Sequence, residues 1–222
     1  MHICAINNWR EIVKGTFDRI RSSGLYDKID ELRYGLLGNY ECLQDELFHD
    51  PKFRNILWSP ELDLYESCTI NKLWYAARDE EEFNVLYLHS KGVRYNGTDQ
   101  RITNWANYLA YFNIDRHTDC LEQLENGAHV VGVNISTTLM IHYSGNFWWS
   151  KSSYIRRSMQ YCTQYTYCAP EYWITLSRDG TYVDLNDCPP NYYDGTPEEV
   201  ELAYKNKPLN IKKYKYSLEI TP

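Results

Sequence analysis

The run Val85-Leu86-Tyr87-Leu88-His89-Ser90-Lys91-Gly92 carries the sharpest chemistry in the chain. An apolar stretch passes directly into an imidazole, a hydroxyl, an ammonium and a glycine. An ammonium meets a phosphate as a point charge, and a glycine lets the backbone come close to an anion. The same run also reads as a strand that ends in a solvated turn.

A second run is Ser144-Gly145-Asn146-Phe147-Trp148-Trp149-Ser150-Lys151. Adjacent tryptophans on a strand point to opposite faces. One is expected in the core and the other, Trp148, facing a cleft where an indole suits the apolar face of a sugar; the plainer alternative puts both rings in cores. In Ala169-Pro170-Glu171-Tyr172-Trp173-Ile174, Glu171 reads either as an acid in the first turn of a helix or as a carboxylate aimed at a substrate hydroxyl, with Asp179 and Asp187 behind it. Lys205, Lys207, Lys212, Lys213 and Lys215 could close over a diphosphate or blunt an edge strand. Asp79-Glu80-Glu81-Glu82 precedes a strand, at the wrong end of a sheet for a site, and reads as a solvated turn.

These residues need a scaffold. His2 to Ile6, Leu32 to Leu37, Asn55 to Trp58, Asn84 to Leu88, His129 to Val133 and Gly145 to Trp149 read as strands. Trp9 to Ile20 has apolar residues at helical spacing and ends near Gly24. Ser67 to Arg78 and Ile102 to Leu124 also read as helical, with short helices at 152–157 and 171–176. Late strands are expected at 181–184 and 211–218, and Pro189-Pro190 with Asp194-Gly195 mark a long loop. The first half alternates strand and helix, so the expected fold is α/β, with a central, mostly parallel sheet of about six strands flanked by helices. Ligands of open α/β sheets bind beyond the carboxyl ends of the strands. Those ends are Asn7-Asn8-Trp9, Trp58 to Asp63 and His89 to Gly92.

Composition narrows the function. The 222 residues suit one domain and carry a net charge of −7, which disfavours generic nucleic-acid or membrane-surface binding. No window is long and apolar enough to span a membrane, and the N-terminus does not read as a signal peptide. Seven cysteines without a C-x-x-C pair suggest neither zinc nor a disulfide framework, but free thiols in a reducing cytosol. Asn96-Gly97-Thr98 and Asn134-Ile135-Ser136 then read as chance sequons. The strand-one turn lacks G-x-G-x-x-G, and neither a P-loop nor a G-x-S-x-G elbow is present. Tyrosine is abundant, at 21 residues, and its rings serve cores or stack on sugars and bases.

The order ICAINNW, SGLYDKID, LWYAA, YLHSKG, GNFWW and PEYW resembles small glycosyltransferases of the GT-A fold, especially the glycosyltransferase domain encoded by chlorella viruses. The resemblance implies a single GT-A-like domain over residues 1–222, with a nucleotide-binding half at 1–92 and an acceptor-side half at 93–222. It implies transfer of a hexosyl or deoxyhexosyl group from a UDP-sugar to a hydroxyl of a glycan acceptor, in viral or surface glycan synthesis, in the host cytoplasm. It leaves room for the chain to be one domain of a longer protein. It carries base and ribose binding onto Asn7, Trp9, Thr69, Asn71 and Lys72; His89, Ser90, Lys91, Gly92, Gly145, Asn146 and Trp148 are the further candidates for holding the nucleotide sugar, and Lys91 and Glu171 the candidates for its chemistry. GT-A enzymes usually hold Mn²⁺ or Mg²⁺ with Asp-x-Asp at the end of strand four. Here that position is His89-Ser90-Lys91, so either His89 is a metal ligand or Lys91 supplies the charge directly. The alternative is a non-catalytic module that binds a sugar or nucleotide without turnover.

Overall fold

Residues 1–187 and 193–215 are described by a computed structural model. Strand β1 (His2–Ala5) lies parallel to β2 (Leu32–Gly38), and β2 lies parallel to β3 (Phe53–Ser59). Helix α1 (Trp9–Ser22) joins the first two and buries Val13, Phe17 and Ile20, one face of its 3.6-residue period. Helix α2 (Ser67–Asp79) carries the chain from β3 to β4 (Asn84–Tyr87). The two helices cover opposite faces of β2. Leu36 enters the core that holds Phe17, whereas the neighbouring Gly35 meets Thr69 of α2 so closely that no Cβ would fit.

The rest of the chain is less regular. Helix α3 (Gln100–Ala110), a π-helical turn (Tyr111–Asp115) and α4 (His117–Glu125) occupy the stretch expected as one long helix or two. Then come β5 (Val130–Gly132), the hairpin β6 (Ile135–Ser136) and β7 (His142–Tyr143), and β8 (Trp148–Lys151). Two short helices follow, α5 (Ser152–Ser158) and α6 (Ala169–Trp173), then β9 (Thr181–Asp184), α7 (Pro197–Tyr204) and β10 (Lys212–Lys215). No helix among the described residues is long and apolar enough to cross a membrane.

The chain is thus α/β, but the sheet is not the mostly parallel six-stranded one expected. A three-stranded parallel sheet, β1-β2-β3, stands beside a mixed sheet ordered β10-β9-β5-β8-β4. One parallel bridge, His2 to His89, joins them, with the His2 amide donating to the Leu88 carbonyl and the Ser90 amide to the His2 carbonyl. In the mixed sheet β10 runs antiparallel to β9, and β8 runs antiparallel to both β4 and β5. A parallel neighbour needs a long crossover, usually helical; only loop and the small β6–β7 hairpin separate β5 from β8, so the strand returns reversed.

Trp149 enters the core with α1 and α3, and Trp148 enters the second core with Ile70, Trp173 and Tyr87. The tryptophan pair therefore straddles the sheet as its spacing predicts, but Trp148, the ring expected at a cleft, is fully buried. Helix α7 was not expected from the sequence, although Thr196 and Glu199 form a reciprocal capping box with Pro197 in the first turn, a signature worth about 1 kcal/mol. The expected loop at Pro189-Pro190 and the end of the strand expected at 211–218 lie outside the described residues.

Candidate functional site

The strand order reverses at β1. The chain leaves β1 on one side through β2 and β3, and α2 returns it to the other side at β4. A crevice forms at such a reversal, outside the carboxyl ends of the strands. A cavity of about 390 Å³ lies there, between His2 and Cys4 of β1, Ile6 just past its end, and the segment His89 to Val93 that follows β4. The loop after β3 adds Asp63, Tyr65 and Glu66, α3 adds Trp105, the segment entering α6 adds Tyr167, and α6 itself adds Glu171.

Gly145 organises the inner wall. Its amide donates to Glu171 Oε1 at 3.0 Å, and its carbonyl lies 3.1 Å from His89 Nε2. A carbonyl only accepts, so Nε2 carries the hydrogen and Nδ1 presents a lone pair. Only glycine fits comfortably here: φ is +93°, and a Cβ would come within 2.5 Å of Leu109 Cδ1 and 3.1 Å of Trp105. Behind the wall, Asn146 donates to Glu66 Oε2 at 2.8 Å and accepts from Trp148 Nε1 at 2.8 Å. Tyr87 also donates to Glu66 Oε2, at 2.9 Å.

Burial sets the charges. Desolvation, aided by Lys91, pushes the His89 pKa down to about 3, and His2 falls to about 4 for the same first reason. Both rings are neutral at neutral pH, and the 3.7 Å approach of His89 Nδ1 to Glu66 Oε1 is no ion pair. Desolvation pushes the Glu66 carboxyl up, against the pull of its hydrogen-bond donors. Lys91 is lowered to about 8 by burial, with Glu171 and Glu66 opposing the loss.

Lys91 is the unusual group. Its Nζ lies 3.4 Å from the centre of the Trp105 ring and makes no hydrogen bond or ion pair among the described residues. Gly92, at φ +91°, turns the chain beside it, and Arg94 stands over the Tyr167 ring at 4.9 Å, also without a carboxylate partner. The cavity thus sets an ammonium and a guanidinium, neither paired with a carboxylate among the described residues, against the carboxyl groups of Asp63, Glu66 and Glu171. Glu171 Oε2 makes no hydrogen bond among the described residues, leaving an acceptor at the wall.

The residues marked in the sequence divide. His89, Ser90, Lys91, Gly92 and Glu171 line the cavity, and Gly145 and Asn146 build its wall. Asn7 stands outside and fixes the far side of the turn, donating to the Val93 carbonyl at 2.9 Å. Trp9 stacks on Phe48, with ring centres 6.1 Å apart, and Trp148 on Tyr87 at 5.1 Å, both as packing. Thr69 bonds His2 from behind, Asn71 clamps the backbone of Cys162, and exposed Lys72 borders a separate hollow at the opposite strand ends. Asp179 is exposed, Asp187 pairs with Lys212, and neither lines the cavity. Lys212, Lys213 and Lys215 lie on β10, at the sheet edge opposite β4, and Lys205 pairs with Glu201. They serve as a solvated edge.

His2, Glu66, Trp105, Arg94 and Tyr167 were not anticipated. Only Arg94, two residues past the His89–Gly92 run, had a local signal. The divalent metal that the resemblance implies lacks a donor set here: among the described residues no three His, Cys, Asp or Glu side chains converge. His89 Nδ1 and Glu66 Oε1 offer at most a pair, beside an ammonium that would repel a cation.

The fold and cavity define an α/β protein with a crevice of mixed charge at the sheet reversal. Residues 5–166 match the family model described as a domain of unknown function (DUF8361), and the chain belongs to that family. No curated protein and no solved structure matches it.

Proposed function

We propose that the protein is a glycosyltransferase that takes a sugar from a nucleotide diphosphate donor, UDP-linked by the resemblance, and places it on a hydroxyl of a glycan. The observation that carries this reading is the unpaired Lys91 ammonium in a cavity whose wall also presents the Glu171 carboxylate. A diphosphate leaving group needs fixed positive charge where its negative charge develops. Lys91 supplies that charge, desolvated and held over Trp105, with Arg94 beside it. The bond from the anomeric carbon to the phosphate oxygen breaks, and its electron pair leaves on the diphosphate. The acceptor oxygen forms the new bond, and its proton passes to Glu171. Gly145 orients that carboxylate through Oε1 and leaves Oε2 for the acceptor. Cations and carboxylates in one crevice favour turnover over simple retention of a sugar or nucleotide.

The test is calorimetric titration with UDP, GDP and ADP, with and without Mn²⁺, followed by a hydrolysis assay with a panel of UDP-sugars. UDP binding in both arms and release of free sugar from one donor are the expected results. Equal affinity for the three nucleotides would remove the uridine assignment. Absence of binding to any nucleotide would end the reading.

A further inference from the structure

The stretch Ser158 to Pro170 holds no charged side chain, in a chain where 24% of residues are charged. From Met159 to Gln164 it is neither helix nor strand, yet α2 pins it at three levels. Trp74 Nε1 donates to the Met159 carbonyl at 3.1 Å, Asn71 exchanges two hydrogen bonds with the Cys162 backbone, and Ser67 Oγ donates to the Gln164 carbonyl at 2.8 Å. Residues 74, 71 and 67 thus meet 159, 162 and 164, so the stretch runs antiparallel to α2 and ends at the cavity mouth.

This anchoring holds a row of rings open to solvent. Tyr161, Tyr165 and Tyr167 are 39%, 41% and 56% exposed. At the far end Tyr161 meets Trp74 and Tyr75 at 5.9 and 6.0 Å between ring centres, and its hydroxyl lies 3.4 Å from that of Tyr165. At the near end Tyr167 meets Tyr65 at 6.2 Å, and both line the cavity. The span of α2 beside the row, Ser67 to Tyr75, rises roughly 12 Å at ~1.5 Å per residue. Thr163, Gln164 and Thr166 are exposed between the rings and add hydroxyl and amide groups.

We infer that this row is the track on which a neutral oligosaccharide chain lies, with its acceptor end directed into the cavity; the inference rests on the glycosyl-transfer reading of that cavity. Aromatic faces carry negative charge density and suit the C–H faces of sugar rings. The hydroxyls and amides suit sugar hydroxyls. A nucleic-acid strand stacked on such rings would need a basic groove along its backbone; the stretch itself carries no cation, and Arg78 and Arg94, which lie over the Trp74 and Tyr167 rings, stand only at its two ends. A protein partner would be met by an apolar core patch, whereas these rings alternate with polar side chains.

The experiment titrates the wild type and a Tyr161→Ala/Tyr165→Ala variant with neutral gluco-, galacto- and manno-oligosaccharides of two to six units, and separately with UDP. In one series wild-type affinity rises roughly tenfold from the shortest to the longest sugar, about what two added ring contacts supply. The variant loses that rise and keeps wild-type UDP affinity. A length-independent wild-type affinity, an unchanged rise in the variant, or no binding of any series overturns the track. UDP binding that fails while the length-dependent rise persists overturns the cavity reading and leaves the track as a glycan surface. Tyr165→Gln repeats the test should the double variant unfold, because among the described residues the Tyr165 hydroxyl meets only that of Tyr161.

Discussion

The Lys91 ammonium sits 3.4 Å from the centre of the Trp105 indole, and the ring face is its one direct partner among the described residues. The face stabilises the cation without consuming any of its three N–H donors. The charge is held in place and remains available to a ligand.

Replacing Lys91 by Met keeps most of the stem and removes the charge. A charge-assisted contact to phosphate is worth about 1.5–3 kcal/mol, so UDP affinity should drop by roughly tenfold to a hundredfold. Losing the contact with Trp105 while relieving a desolvated charge should leave stability within about 1 kcal/mol. Calorimetry and thermal unfolding read the two effects separately; wild-type affinity in the variant would remove Lys91 from the site.

The same group sets a pH dependence. With a pKa of about 8, Lys91 loses its proton as pH rises through 8. UDP affinity should therefore weaken between pH 7.5 and 9.5, and Lys91→Met should flatten that dependence. Equal slopes in the two proteins would assign the effect elsewhere.

Glu171→Gln is a test of charge at nearly constant shape. The amide oxygen can still accept from the Gly145 amide, so nucleotide binding and fold should persist. Sugar transfer, or donor hydrolysis in its place, should fall by roughly 10²–10⁴ if the carboxylate accepts the proton. A rate within a few-fold of wild type would show that the carboxylate only buttresses Gly145.

Acid should unfold the protein through its buried imidazoles. His2 and His89 titrate at about 4 and about 3 when folded, against 6.5 as the ordinary value. Between those limits the unfolded chain binds more protons, so stability rises with pH and is lost as pH falls from 6.5. Asp184 works the other way: burial raises it to about 6, so its contribution declines as pH rises from 3.8 to 6. Glu66, also raised by burial, acts in the same sense as Asp184, and the two imidazoles, each shifted further than Asp184, oppose them. His89→Gln retains a donor for Gly145 and should reduce the loss of denaturant midpoint between pH 6.5 and 4.5; an unchanged loss would show that His89 is solvated.

Gly145→Ala should damage both fold and site. The new methyl meets Leu109 and Trp105 at a φ of +93°, and overpacking of this kind costs about 1–3 kcal/mol. For a chain of this size that lowers Tm by roughly 2–4 °C per kcal/mol. Urea unfolding measures the loss, and a variant as stable as wild type would contradict the packing described here.

The alternation of strand and helix from β1 to β4 was legible in the sequence because each element is a local period of apolar residues. The Lys91 segment was legible too, since a polar, glycine-containing run after an apolar strand marks a strand's carboxyl end. Capping chemistry at Thr196 and Glu199 was equally local, and it went unread. Local pattern does not say which faces will be covered. Trp148 has the same type and setting as a cleft-facing tryptophan, and only the docking of Tyr87 and Trp173 across it placed it in a core. The reversal of β8 likewise depended on how short a path led back from β5. Glu66, Lys91, Gly145 and Glu171 are scattered along the chain, yet one cavity draws on all four. Their meeting, and the desolvation that shifts Glu66, His89 and Lys91 from their ordinary values, exist only once both sheet faces are packed and water has left the space between them.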